Sequence, residues 1–225
     1  MDINIFLILV QFLVLLLSLS VHESAHAWTA DALGDPTARY LGRVSLNPMV
    51  HADLFGTIIF PLIGFFTGFM FGWAKPVPVD LSKLRNPKRD HMLVAAAGPA
   101  SNLLIALVLF VVLMVVKTTS PDGASLVRGA AFGGLSEGNS IAVPLTIVAF
   151  HGIILNLVLA VFNLIPVAPL DGAAVLGGLL PQSLMPAFEQ LQSFGFMILI
   201  MMLVFGIPSL FYSPVIDFVL SFLLI

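Results

Sequence analysis

Long apolar runs alternate with short polar stretches along the chain, and the runs have the length of membrane-crossing helices. The first run begins at Ile3 and meets Gly34-Asp35-Pro36, residues that stop helices. Because about 20 apolar residues span a bilayer, the pattern predicts helices over 3–33, 91–116, 141–165 and 187–207, with a short apolar tail over 215–225. We therefore predict a single transmembrane domain over 1–225, an all-α polytopic membrane protein built as a transmembrane helix bundle.

Three stretches interrupt this pattern. Segment 54–72 is uncharged but rich in glycine, so it either crosses the membrane or enters and returns on the same side. The following stretch contains Pro76 and Pro78, which forbid helix and favour extended backbone. Residues 117–140 are rich in Gly and Ser and are predicted as a loop.

Composition places the whole chain in the membrane class. Hydrophobic residues make up 59% of the chain and charged residues only 9%, and the mean hydropathy is +1.08. Soluble domains carry about 25% charged residues. The chain has no basic patch with interleaved aromatic residues, so we expect no nucleic-acid partner. It also has no cysteine, so any metal must be held by nitrogen and oxygen ligands.

The strongest chemical signal is the sequence His22-Glu23-Ser24-Ala25-His26 inside the first apolar run. On a helix His22 and His26 lie one turn apart on the same face, a spacing that suits two ligands of one zinc ion. Glu23 beside them is then able to act on a water at the metal. Titratable groups at membrane depth are costly without such a role.

A zinc ion held by two histidines needs at least one more protein ligand. Asp171 is the strongest candidate, because it begins an apolar helix just after Pro166 and Pro169, which break the preceding one. Three other histidines are weaker alternatives, since they lie in a polar loop, at a helix start or at a different depth: His51, His91 and His151.

These residues resemble the motifs of the site-2 protease family of intramembrane zinc metalloproteases. His22–His26 matches the family's HExxH, and Asn163 to Gly172 matches its second signature, an Asn and a Pro followed by Leu-Asp-Gly. Gly98-Pro99 with Asn102 is similar to a feature of the family's core helix. The family's frequent PDZ and CBS domains have no counterpart here, so we expect the small bacterial or archaeal type.

The resemblance implies an activity and a set of roles. It implies one Zn²⁺ per chain held by His22, His26 and Asp171, with Glu23 as the general base. Asn163 would stabilise the oxyanion or position the substrate. The family's membrane-associated β-hairpin, which would pair with a substrate strand, corresponds to Gly72, Trp73, Ala74, Lys75, Pro76, Val77 and Pro78. The expected substrate is a transmembrane protein in the lipid bilayer, cut by regulated intramembrane proteolysis.

The proposed ligands also constrain the topology. His26 and Asp171 share a membrane side only if an even number of crossings separates them, so we predict that 54–72 is re-entrant or partly inserted. The basic residues then collect on one side, which the positive-inside rule makes cytoplasmic: Arg39, Arg43, Lys75, Lys83, Arg85, Lys88 and Arg89. We expect a multi-pass plasma-membrane protein whose active site faces the cytoplasmic side.

Two other functions compete with this prediction. A transporter or channel would use the polar groups as an ion path, but such proteins often contain internal repeats, and none is found. A catalytically inactive relative would bind membrane proteins without cutting them. The presence of Glu23, both histidines and Asp171 argues against it. The sequence leaves the oligomeric state and the identity of the substrate open.

Overall fold

The computed structural model describes residues 5–61, 72–132 and 141–225. We label the helices of these residues α1 to α8 and leave single turns unlabelled. Their bounds are Ile5–Ala32 (α1), Pro87–Thr119 (α2), Gly123–Phe132 (α3), Ala142–Asn163 (α4), Asp171–Leu179 (α5), Met185–Gln192 (α6), Gly195–Val204 (α7) and Ser209–Leu224 (α8).

Three of these helices are long and apolar enough to cross a membrane: α1, α2 and α4. At about 1.5 Å per residue, even the 22 residues of α4 match the roughly 30 Å hydrocarbon core. The chain is therefore a multi-pass membrane protein, as predicted. The interior contacts between α1, α2 and α4 include Val14, Leu113 and Ile153, whereas Leu104, Leu107 and Val111 form an exposed apolar stripe on α2. Such a stripe suits contact with lipid.

The fourth predicted helix, 187–207, is broken in the structure. Helices α6 and α7 meet at Ser193-Phe194, and the pair that runs from Gln182 to Val204 bends by 61°. The predicted loop 117–140 is also partly wrong, because it contains α3, which packs against α4. The Gly and Ser content predicts a loop, but small side chains such as Ala130 let α3 pack closely against α4.

Segment 54–72 is described only at its ends. Leu54–Ile59 forms a π-helical turn whose N-terminus is capped by the Asp53 carboxylate. Whether the segment is re-entrant or crosses the membrane depends on residues 62–71, which lie outside the described part.

The predicted β-hairpin is not supported, since the described residues contain no strand. Residues 72–80 are extended, but their main-chain groups bind other parts of the chain. Trp73 N–H donates to Gly56 O at 3.1 Å and Lys75 N–H donates to His51 O at 2.8 Å. These bonds take the place of a strand ladder.

Candidate metal and catalytic site

The HExxH motif lies inside α1, about two turns before its end. His22 and His26 are 4% and 8% exposed, and their ring centroids are 4.7 Å apart at an interplanar angle of 85°. Both rings point into the bundle toward α2. The helical spacing therefore brings the two imidazoles together as the sequence predicts.

Asp171, the first residue of α5, completes the cluster. Its Oδ2 lies 3.1 Å from His22 Nε2 and 3.4 Å from His26 Nε2. One ligand atom from each of the three residues lies within 4.8 Å of the others. Gly172 allows this approach, because a Cβ there would collide with the Leu164 carbonyl at the end of α4.

A chain of buried amides sets the orientation of the His22 ring. Asn156 Nδ2 donates to Gly152 O at 2.8 Å and to Ser18 Oγ at 2.9 Å, so its Oδ1 faces Asn102 and accepts from Asn102 Nδ2 at 2.7 Å. Asn102 Oδ1 consequently faces His22 Nδ1 at 2.5 Å. An amide oxygen only accepts, so His22 must carry its proton on Nδ1.

The second imidazole is oriented in the same way by the main chain. His26 Nδ1 lies 2.7 Å from Val94 O, which also only accepts. In the neutral form both rings therefore present an Nε2 lone pair to the Asp171 carboxylate. Asp171 Oδ2 is buried and has no hydrogen-bond partner among the described residues.

This arrangement fits a metal ion. Three acceptor atoms converge in a buried place with no proton between them, which is costly unless a cation joins them. Two imidazoles and one carboxylate are a zinc ligand set, and Nδ1–H bonds to an amide and a carbonyl are the partners that zinc-binding histidines have. Gly98 provides the space that the two imidazole rings occupy, because a Cβ there would lie 2.5 Å from His26 Cε1 and 2.6 Å from His22 Cε1.

Glu23 lies beside the cluster and is held from the other side. Its Oε2 accepts the Val77 main-chain N–H at 3.0 Å. Glu23, both histidines and Asp171 line a cavity of about 1260 Å³. Asn163 lines the same cavity and donates one Nδ2 hydrogen to Leu159 O at 2.9 Å. The three predicted ligands, Glu23 and Asn163 thus share one cavity. Of the predicted stretch Gly72–Pro78, all residues but Lys75 and Pro78 line it as well.

The alternative histidines do not join the cluster. In the described chain the group able to hold a metal consists of His22, His26 and Asp171. His51 is buried and its Nε2 lies 2.7 Å from Ser45 O. His151 Nδ1 bonds back to Ile147 O. His91 lines the cavity but is not part of the group of three.

Two buried residues around the site, Asn156 and Arg43, are not among the site residues predicted from the sequence. Asn156 is fully buried inside an apolar span, and a lone amide at membrane depth is a signal that could have identified it. Arg43, 6% exposed, contacts the segment next to Glu23. No local pattern marks Arg43, because arginines in polar stretches are ordinarily exposed.

Comparison with known proteins agrees with the site. The model of "Peptidase family M50" matches residues 10–206. The Bacillus subtilis (strain 168) protein named "Putative zinc metalloprotease YwhC" is 36% identical over 204 residues, which cover 90% of this chain and 84% of that protein. The Mycolicibacterium smegmatis protein named "Putative zinc metalloprotease Rip2" is 27% identical over 190 residues, 84% of this chain and 64% of that protein.

No solved structure matches the chain at a significant level. The family match covers most of the chain and includes the HExxH helix, the amide chain and Asp171. The protein belongs to peptidase family M50, the site-2 protease family of zinc metalloproteases.

Proposed function

We propose that this protein is an intramembrane endopeptidase that hydrolyses peptide bonds in or near transmembrane segments of membrane proteins, in regulated intramembrane proteolysis. One zinc ion per chain is held by His22, His26 and Asp171. The observation that carries the proposal is the convergence of three acceptor atoms, without an intervening proton, on a cavity inside a bundle of membrane-spanning helices.

Glu23 is the general base. Zinc bound by such ligands supplies Lewis acidity toward a substrate carbonyl and a water. Val77 N–H holds Glu23 Oε2, which leaves Oε1 to take a proton from the attacking water. As the carbon–nitrogen bond breaks, Glu23 passes that proton to the leaving nitrogen, so one carboxylate serves both steps.

Asn163 stabilises the oxyanion or positions the substrate. Its Nδ2 has two hydrogens, and the bond to Leu159 O uses one of them. The second is then able to donate to the tetrahedral oxygen, a contact that counts most when negative charge develops there. Its place on the cavity wall supports this role.

The substrate is a membrane protein segment in extended form. Apolar side chains line much of the cavity, among them Leu19, Phe162 and Phe196, and suit the side chains of a transmembrane segment. A helical substrate hides its carbonyls in its own hydrogen bonds, so it must unwind before cleavage. We assign the stretch Gly72–Pro78 to holding the unwound backbone, as in β-addition. It would do so through main-chain groups other than those already bound to Gly56, His51, Glu23 and Arg43.

The active site faces the cytoplasmic side of the plasma membrane. The crowding of basic residues before and at the start of α2, against Lys117 and Arg128 after it, supports this orientation. Because the chain has no cysteine, Ser82→Cys and Ser125→Cys, both at exposed positions, provide single labels on opposite sides. In intact cells a membrane-impermeant maleimide should label Ser125→Cys alone, and labelling of Ser82→Cys alone would reverse the orientation.

Glu23→Gln tests the function. In proteoliposomes with a membrane-spanning reporter peptide, we expect it to keep about one zinc per chain and to lose cleavage by about 10²–10⁴-fold. Asp171→Asn should instead lose zinc, because it removes a charged ligand. Wild-type cleavage by Glu23→Gln, or a wild-type protein without zinc, would overturn the proposal.

A further inference from the structure

A buried arginine lies on the far side of the segment that holds Glu23. Arg43 is 6% exposed, and no carboxylate of the described chain forms an ion pair with it. Its Nη1 donates to Val50 O, and its Nη2 donates to Lys75 O and, at 3.1 Å, to Pro76 O. A buried charge without a counterion is costly, so a packing role alone would favour an apolar side chain.

The two prolines explain why an arginine is needed here. Pro76 and Pro78 have no N–H, so between Lys75 and Val79 the segment has one main-chain donor, the N–H of Val77. The chain there must be held through its carbonyl oxygens. A guanidinium offers several donors in one plane, and Arg43 uses its Nη1 and Nη2 to join the Lys75 and Pro76 carbonyls to Val50 O. Its buried Nε–H has no partner among the described residues.

The remaining donor of the segment binds the catalytic carboxylate. Val77 N–H belongs to the same planar peptide unit as the Pro76 carbonyl, which Arg43 holds, and it donates to Glu23 Oε2 at 3.0 Å. Lys75 N–H is bound to His51 O at 2.8 Å, which holds the preceding residue. The position of Val77 N–H is therefore set on one side by His51 and on the other by Arg43.

We propose that Arg43 is a positioning residue for the proteolytic reaction. It holds the Lys75 and Pro76 carbonyls so that Val77 N–H fixes Glu23 Oε2 and leaves Oε1 directed at the attacking water. This inference rests on the proposed role of Glu23 as general base. It assigns to Arg43 an effect on turnover that is separate from zinc binding.

The first experiment is chemical rescue of Arg43→Ala. In proteoliposomes with the reporter peptide, kcat should fall by about 10–100-fold, as a small misplacement of a catalytic group does, while KM and the zinc content stay near wild type. Added guanidinium should restore part of kcat by occupying the vacated space, whereas an ammonium salt at equal ionic strength should not. Arg39→Ala, which removes an exposed arginine, is the matched control and should keep wild-type kcat.

The second experiment asks whether Arg43 acts through Val77. Val77→Pro removes the N–H of the segment's remaining donor, and Val77→Ala controls for the lost valine side chain. If both act on Glu23 by one route, Arg43→Ala with Val77→Pro should lower kcat no further than the more damaging single variant. Independent, multiplicative effects would overturn the proposal.

The outcomes separate this inference from the proposed function. Inactive Glu23→Gln with fully active Arg43→Ala would leave the protease intact and refute the positioning role. Loss of zinc in Arg43→Ala without rescue by guanidinium would also refute it, in favour of a purely structural role. Wild-type cleavage by Glu23→Gln would overturn both.

Discussion

The two sides of the active site are held by different kinds of structure. The metal side is fixed by spanning helices: His22 is oriented by Asn102, and His26 by the Val94 carbonyl. The base side is fixed by an extended segment without regular structure, through Val77 N–H and the carbonyls bound by Arg43.

This difference separates the residues that should determine zinc affinity from those that should determine turnover. Helix packing determines where the lone pairs of the ligands point, so changes in the bundle should alter zinc binding. The extended segment donates a hydrogen bond to Glu23 and contributes none of the three candidate ligands, so changes there should alter kcat in protein that is fully loaded with zinc. Three variants test the two halves of this division.

Gly98→Ala should have the largest effect. Its Cβ would lie 2.5 Å from His26 Cε1 and 2.6 Å from His22 Cε1, so both rings must move. We expect zinc affinity to fall by more than the roughly 10–100-fold typical of an outer partner, measured by competition with a chelator. Gly177→Ala is the control, because its Cβ meets only the Phe188 ring, at 3.2 Å. Full zinc affinity in Gly98→Ala would contradict the site geometry.

Asn102→Leu should have the second largest effect and weaken zinc affinity about 10–100-fold. The change removes the acceptor that holds His22 Nδ1–H. Asn156→Leu acts one amide further away and should weaken zinc binding less. Ser101→Ala, whose hydroxyl bonds only back to Gly98 O, controls for polarity in the same helix. Both Asn variants should keep a near-normal kcat at saturating zinc. Unchanged zinc affinity in both would show that the buried amides do not orient His22 for the metal.

Asp35→Asn changes the base side and should have the smallest effect on zinc binding. The Asp35 carboxylate accepts N–H groups from Asp80 at 2.7 Å and Thr37 at 3.0 Å, which anchors the far end of the extended segment. Burial raises the pKa of Asp35, but the hydrogen bonds from Thr37 and Asp80 outweigh it and leave that pKa below its usual value. We expect Asp35→Asn to cost about 1–3 kcal/mol of unfolding free energy, with zinc retained.

The sign of the pH dependence follows from the lowered pKa. The ionised carboxylate stabilises the fold fully above its ordinary pKa of about 4, and this stability is lost as the pH falls through the lowered value. Thermal unfolding in detergent at several pH values should therefore show a loss in acid that is smaller in Asp35→Asn. An identical pH dependence in both proteins would show that the ionised Asp35 carboxylate does not stabilise the fold.

Local patterns predicted the spanning helices and the HExxH spacing, because both depend on neighbours within a few residues. The same patterns failed where distant contacts decide the structure. The break between α6 and α7 lies beside Gln192 and Ser193, inside the predicted helix 187–207, and a few polar residues in a helix do not by themselves locate a bend. The stretch Gly72–Pro78 resembles a β-hairpin segment in sequence, but its main-chain groups bind Gly56, His51 and Arg43 instead.

Hydropathy and helical spacing are local properties, so the sequence was enough to predict a membrane protein with two candidate zinc ligands and a candidate base on one helix. The prolines before Asp171 and the motif resemblance also predicted the third ligand. The tertiary structure was needed to show that Asp171 meets both histidines and that Asn156 and Asn102 impose the tautomer of His22. It was also needed to show that Arg43 binds the segment whose Val77 N–H holds Glu23. Those relations join residues far apart in the chain, and packing and directional hydrogen bonds, rather than local propensity, bring them together.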